Sequence, residues 1–98
     1  MKKKNLKNKE ITVFFLIRLD IPLEYIKSEN LKMLMKNPEI IDVYEITGGY
    51  DLLIKVKLHD IDRISEMLKL IKIIGGVKNV TTILSSMIIK ENGKAYID

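Results

Sequence analysis

The sequence predicts an α+β fold in the order β-α-β-β-α-β, a four-stranded antiparallel sheet with both helices on one face. Three observations predict it. Two extended apolar runs, Ile40 to Thr47 and Asp51 to Leu58, meet across the pair Gly48-Gly49 and read as a hairpin. Two other segments, residues 23–35 and 61–71, repeat apolar residues at helical spacing. Strand-like runs open and close the set, at Ile11 to Arg18 and at Val77 to about Ile89.

Each element has its own reason. Ile11 to Arg18 is rich in β-branched and aromatic side chains, which suit a pleated surface. Asp20-Ile21-Pro22 breaks that run, because proline fixes φ and has no N–H for a ladder. Leu23, Ile26, Leu31, Leu34 and Met35 then mark a helix that stops at Asn37-Pro38. After the hairpin, Asp60 is placed to cap a second helix, with Asp62 in the first turn where negative charge is favoured. Ile61, Ile64, Leu68 and Ile71 form its expected buried stripe, and Gly75-Gly76 closes it as a C-cap and loop. Val77 to about Ile89 is the last strand, and Glu91 to Asp98 a polar tail with room for a short extra strand. This order is the ferredoxin-like split motif.

Ninety-eight residues make one domain: a basic flexible arm over 1–10, the folded unit over 11–90 and a tail over 91–98. The net charge of +4 sits wholly in the arm, where Lys2, Lys3, Lys4, Lys7 and Lys9 face only Glu10; residues 11–98 hold twelve basic and twelve acidic side chains. A neutral folded part argues against a nucleic-acid footprint, and an arm of this length reaches about 18 Å as a coil. The arm reads as a solvated tail, with weak phosphate contact as the alternative. The chain has no cysteine, so disulfide and thiol chemistry are excluded. No apolar run is long enough to span a bilayer and the start lacks a signal-peptide cleavage site, so a cytoplasmic protein without a membrane partner is expected.

The sheet should be apolar on both faces. Strand one carries Val13, Phe15 and Ile17 on one side and Phe14 and Leu16 on the other, whereas a sheet covered on one side alternates apolar with polar. The last strand repeats this, with Val80, Leu84 and Ile88 against Ile83, Met87 and Ile89. Strand three is cleaner, with Leu52, Ile54 and Val56 opposing Lys55 and Lys57. An exposed apolar face of this size marks an interface, and a symmetric dimer that buries two such faces is the economical answer. The interface candidates are Phe14, Leu16, Val13 and Phe15; the alternative is that tails or lysine stems cover the face.

The run Asn37-Pro38-Glu39-Ile40-Ile41-Asp42-Val43-Tyr44-Glu45-Ile46-Thr47-Gly48-Gly49-Tyr50-Asp51-Leu52-Leu53-Ile54-Lys55-Val56 resembles the effector-binding domain of the Lrp/AsnC transcription regulators. That family shows a proline, a strand, a Gly-x-Tyr/Phe-Asp turn and an apolar strand, then a helix, a Gly-Val and a strand with alternate threonines. Gly76-Val77-Lys78-Asn79-Val80-Thr81-Thr82-Ile83-Leu84 fits that ending. The chain departs from the family in two respects. Only the lysine-rich arm precedes strand one, so it resembles stand-alone members without a helix-turn-helix and without sequence-specific DNA binding. Val80 also occupies the first alternate position, where the family has threonine, and only Thr82 matches.

The resemblance implies dimers formed by packing open sheets, closed rings of dimers, and an amino acid bound between dimers near the turn and the last strand. The implied ligand-binding set is Gly48, Gly49, Tyr50, Asp51, Val80 and Thr82. Asp51 offers a carboxylate to the ligand ammonium, and Gly48 and Gly49 let backbone N–H groups approach its carboxylate. Thr82 offers a hydroxyl, and Tyr50 walls the side chain. Alternatives stand beside each role: the glycines as a tight turn, Asp51 as a turn-holding acceptor, Thr82 as an ordinary strand residue. The implied partners are an amino acid, further copies of this chain and full-length Lrp-like regulators, with no cofactor and no metal.

Enzyme readings find little. His59 is the sole histidine and serves a turn or helix start, no paired His or Cys spacing marks a metal site, and Ser85-Ser86 lacks a Gly-x-Ser-x-Gly frame. An RNA-binding ferredoxin-like module would place aromatics in strand three, where Asp51 to Lys57 has none. An ACT-type domain would have a glycine between strand one and helix one, where Asp20-Ile21-Pro22-Leu23 has none. A pure oligomerisation partner of full-length regulators is the remaining rival.

Overall fold

The structure, a computed structural model, describes residues 10–96, so residues 1–9 of the predicted arm lie outside the described residues. Its elements are β1 (Ile11–Leu19), a 3-10 turn (Leu23–Tyr25), α1 (Ser28–Met35), β2 (Ile40–Glu45), β3 (Leu52–Leu58), α2 (Arg63–Ile73) and β4 (Val77–Leu84). Two short strands, β5 (Lys90–Glu91) and β6 (Lys94–Ala95), follow. The main sheet runs β2-β3-β1-β4, antiparallel throughout, which is the ferredoxin-like order the sequence predicts.

Register fixes which side chains share a face. Val13, Phe15 and Ile17 of β1 lie opposite Val56, Ile54 and Leu52 of β3, and all six are buried under the helices. Ile26 and Leu34 from the first helical segment and Met67, Ile71 and Ile74 from the second complete this core. Each such side chain contributes about 1.5–3 kcal/mol on leaving water. The stripe of α2 differs from the expectation at two positions: Met67 is buried, whereas Ile61 lies in the turn before the helix and is 55% exposed. Asp60 acts earlier than predicted, its Oδ1 accepting the Asp62 N–H at 2.8 Å ahead of a helix that begins at Arg63.

Two local departures from regular geometry position the turns. Between Arg18 and Leu19 the β1–β4 pairing jumps from Asn79 to Val77, so Lys78 bulges out of β4. Gly76 sits beside this bulge at φ +71°, its carbonyl accepting the Asp20 N–H at 2.7 Å, and a Cβ there would stand 2.8 Å from the Ile21 side chain. Glycine is required here for both backbone angle and space.

The last strand is shorter than the sequence suggests. It ends at Leu84, where the Ser85 N–H bonds the Thr12 carbonyl and the Ser85 hydroxyl bonds the Met87 carbonyl, turning the chain away. Residues 90–95 then fold into a two-residue hairpin across Asn92 (φ 52°) and Gly93 (φ 77°), the positive angles that such a turn demands.

Candidate functional site

The face of the sheet away from the helices divides into two halves. Transverse pairing lines up Tyr44, Leu53, Leu16 and Thr81 in one row and Asp42, Lys55, Phe14 and Ile83 in the next. Tyr44 and Ile83 are 53% and 45% exposed, and Leu16 and Phe14 are half-buried between them. Of the four interface candidates, Phe14 and Leu16 therefore stand on this face. Val13 and Phe15 alternate to the other side and are fully buried in the core, so the interface proposal now rests on the first two.

The first of these rows is bare, and from Phe14 and Lys55 of the second row to Thr12 the face is roofed. Glu91 on β5 accepts hydrogen bonds from the ammonium groups of both Lys55 and Lys57, the latter at 2.7 Å, and its side chain is only 12% exposed. These two lysine bonds hold the Glu91 carboxyl below its usual range. Under the hairpin, Thr12 falls to 5% exposure, and a cavity of about 530 Å³ runs between Phe14 and the Met87-Ile88-Ile89 segment. A second bidentate pair, Arg63 to Glu39, ties α2 to the start of β2 and lowers the Glu39 carboxyl.

The turn between β2 and β3 sits at the end of the bare half. The Ile46 N–H bonds the Asp51 carbonyl at 2.9 Å, and the Asp51 N–H bonds the Ile17 carbonyl at 2.8 Å. Asp51 Oδ2 accepts the Leu19 N–H at 2.7 Å, just beyond the last β1–β3 pair, Ile17–Leu52. Asp51 therefore does hold the turn, with Oδ1 remaining on an exposed residue. Gly48 takes φ +129°, open only to glycine, and a Cβ on it would meet nothing within 4 Å.

Tyr50 reaches back along the sheet. Its hydroxyl lies 3.0 Å from Thr81 Oγ1, and the Arg18 guanidinium stands 5.5 Å from its ring centroid. Tyr50, Thr81 and Arg18 share the face away from the helices. Val80 and Thr82 lie on the other, opposite Ile17 and Phe15, so one chain does not bring them together with Tyr50. On the other flank of Asp51 a groove of about 360 Å³ is lined by Asp20, Glu24, Glu45, Ile21 and Pro22. No motif marks Arg18; strand alternation alone puts it, with Thr81, on the face of Leu16 and opposite to that of Thr82.

His59 is exposed in the turn after β3, and no group of three potential metal-binding side chains occurs among the described residues. No helix among them is long and apolar enough to cross a membrane. The fold and turn thus define a small split β-α-β domain that sets a polar, glycine-bounded turn beside an apolar sheet face.

Comparison with known proteins is specific. The Lrp/AsnC ligand binding domain matches residues 12–95, and the chain belongs to that family. Over 64 residues it is 34% identical to the HTH-type transcriptional regulator FL11 of Pyrococcus furiosus, covering 65% of this chain and 42% of that protein. The chain thus spans less than half the length of that relative. TTHA0845 from Thermus thermophilus superposes with a TM-score of 0.61 at 27% identity, over 83% of this chain and 99% of that one. The transcriptional regulator NMB0573 from Neisseria meningitidis, solved as a complex with L-Met, superposes with a TM-score of 0.73 over 96% of this chain and 61% of that one. At 17% identity its likeness shows the fold alone.

Proposed function

We propose that this chain is an amino-acid effector-binding and self-associating domain that modulates transcription or amino-acid metabolism through ligand-dependent assembly, without catalysing a reaction. The observation that carries the reading is the family match across residues 12–95, which spans the Gly48-to-Asp51 turn and the whole sheet. The L-Met complex of the Neisseria regulator supports a free amino acid as the ligand class.

In this reading Asp51 Oδ1 receives the ligand ammonium, the N–H groups of Gly48 and Gly49 approach its carboxylate, and Tyr50 walls the side chain. Val80 and Thr82 face away from Tyr50, so they contact a ligand held by the turn of a neighbouring subunit. Leu16, with Phe14 at the margin of the roof, packs against the same face of a second copy, and such dimers assemble further. An RNA-binding role is disfavoured because β3 carries no aromatic side chain on which a base could stack, and its two lysines are both engaged by Glu91. A ligand of about nine heavy atoms supports affinities from tens of micromolar to millimolar.

Native mass spectrometry, alone and with the twenty amino acids, tests this. The expected result is a dimer-based assembly that gains the mass of an amino acid. An assembly that gains nothing supports instead a pure oligomerisation partner of full-length regulators, and a ligand-free monomer refutes both.

A further inference from the structure

We infer that Arg18 and Asp51 form a two-ended receptor for a zwitterion, Arg18 taking the carboxylate of a free α-amino acid beside the Gly48 and Gly49 N–H groups and Asp51 Oδ1 its ammonium. The inference rests on the amino-acid reading above and names the residue that discriminates for a free carboxylate.

The two charges flank one feature of the backbone. Asp51 bonds β1 on both sides of Arg18, its N–H to the Ile17 carbonyl and its Oδ2 to the Leu19 N–H. The two make no ion pair with each other, although both side chains belong to residues at the same end of β1 and β3. The Asp51 carboxylate is turned to a backbone donor and the Arg18 guanidinium to a ring. Each keeps capacity to spare. A carboxylate has two oxygens, and one is used; a guanidinium has five N–H donors in a planar fork, and the Tyr50 face occupies none of them.

Arg18 is also held where a ligand could use it. Tyr50 is pinned by its bond to Thr81, so the ring under the guanidinium has a fixed position. A Cβ on Gly49 would stand 3.9 Å from Arg18 Nη2, which places the guanidinium alongside the glycine turn. The chain's other arginine, Arg63, is committed to Glu39 and Glu66, whereas Arg18 is exposed and has no ion-pair partner among the described residues. A molecule with one charge satisfies one end of this arrangement; an α-amino acid satisfies both.

The experiment is calorimetric titration of the full chain with each of the twenty L-amino acids and, for every one bound, its carboxamide, on the wild type, Arg18→Gln and Arg18→Lys. Wild type is expected to prefer the acid over the carboxamide, and Arg18→Gln to bind the acid about ten- to a hundred-fold more weakly with that preference lost. Arg18→Lys keeps the charge without the fork, so it retains the preference in reduced form, and it decides the matter if the glutamine variant does not fold. Wild type binding acid and carboxamide equally, or Arg18→Gln binding like wild type with its preference intact, overturns the assignment and leaves the amino-acid reading standing. Binding of no amino acid by the wild type removes both.

Discussion

Asp51 is the residue at which fold and proposed site coincide, and two substitutions separate its roles. Its Oδ2 accepts the Leu19 N–H at 2.7 Å, a charge-assisted geometry. The β1–β3 pairing ends at Ile17–Leu52, so beyond it this N–H is met by a side chain in place of a strand carbonyl, and Leu19 is half-buried. Bonds to charged acceptors contribute about 1.5–3 kcal/mol, and exposure of Asp51 brings this one to about 1–2 kcal/mol. Asp51→Ala removes the acceptor, so it should lower the melting temperature by roughly 5–10 °C in a domain of this size. Asp51→Asn keeps an oxygen that reaches the same N–H and should cost less than half as much. Both lose the carboxylate that the proposed site offers to an ammonium, so both should weaken amino-acid binding. Thermal unfolding followed by circular dichroism, at one fixed protein concentration and without amino acid, measures the first effect; calorimetry measures the second. Asparagine melting together with alanine would show that the Leu19 bond contributes nothing, and a variant that binds at wild-type affinity would remove Asp51 from the site.

Two further outcomes are expected. Leu16→Lys introduces a charge at the middle of the Tyr44–Leu53–Leu16–Thr81 row, and sedimentation should show the proposed dimer reduced to monomer while the fold persists; an intact assembly in both this variant and Phe14→Lys sinks the interface. The Glu91 carboxyl is held below 4.5 by Lys55 and Lys57, so its contribution to hairpin docking is complete above that pH and is lost as pH falls through the lower, folded value. Backbone amide shifts of residues 90–96 should therefore change on acidification from about pH 6 to about pH 3, and Glu91→Gln should produce the same change at neutral pH. Shifts that stay put in both cases would show that the lysine pair does not hold the hairpin.

The element order was legible because periodicity reports burial directly. Ile54 and Val56 alternate with Lys55 and Lys57 on β3, and the structure buries the first pair and presents the second on the opposite face. What alternation could not show was where a strand stops. Met87-Ile88-Ile89 has strand composition, but the Ser85 hydroxyl bonds two residues ahead and sends the segment over the open face. The same limitation hid the roof itself, since Glu91 meets Lys55 and Lys57 only through a turn at Asn92-Gly93 and a separation of more than thirty residues. The candidate site was legible at its turn and not at its neighbours. A Gly-Gly-Tyr-Asp sequence advertises itself, whereas Arg18 is one polar residue at a strand end, and Thr81 differs from Thr82 only in the face that register assigns it.

Register also links the proposed ligand to the proposed assembly. Thr81 ends the row that begins at Tyr44, and Tyr50 lies bonded to it, so the ring that carries Arg18 borders the surface against which a second sheet would pack. A ligand shifts an assembly equilibrium only through contacts that differ between the two states. A zwitterion that draws Arg18 off the ring changes the edge of that row while Tyr50 stays bonded to Thr81. In the proposed site, one that binds with the ring in place shifts assembly through Val80 and Thr82 of the neighbouring subunit, contacts that exist only in the assembled state.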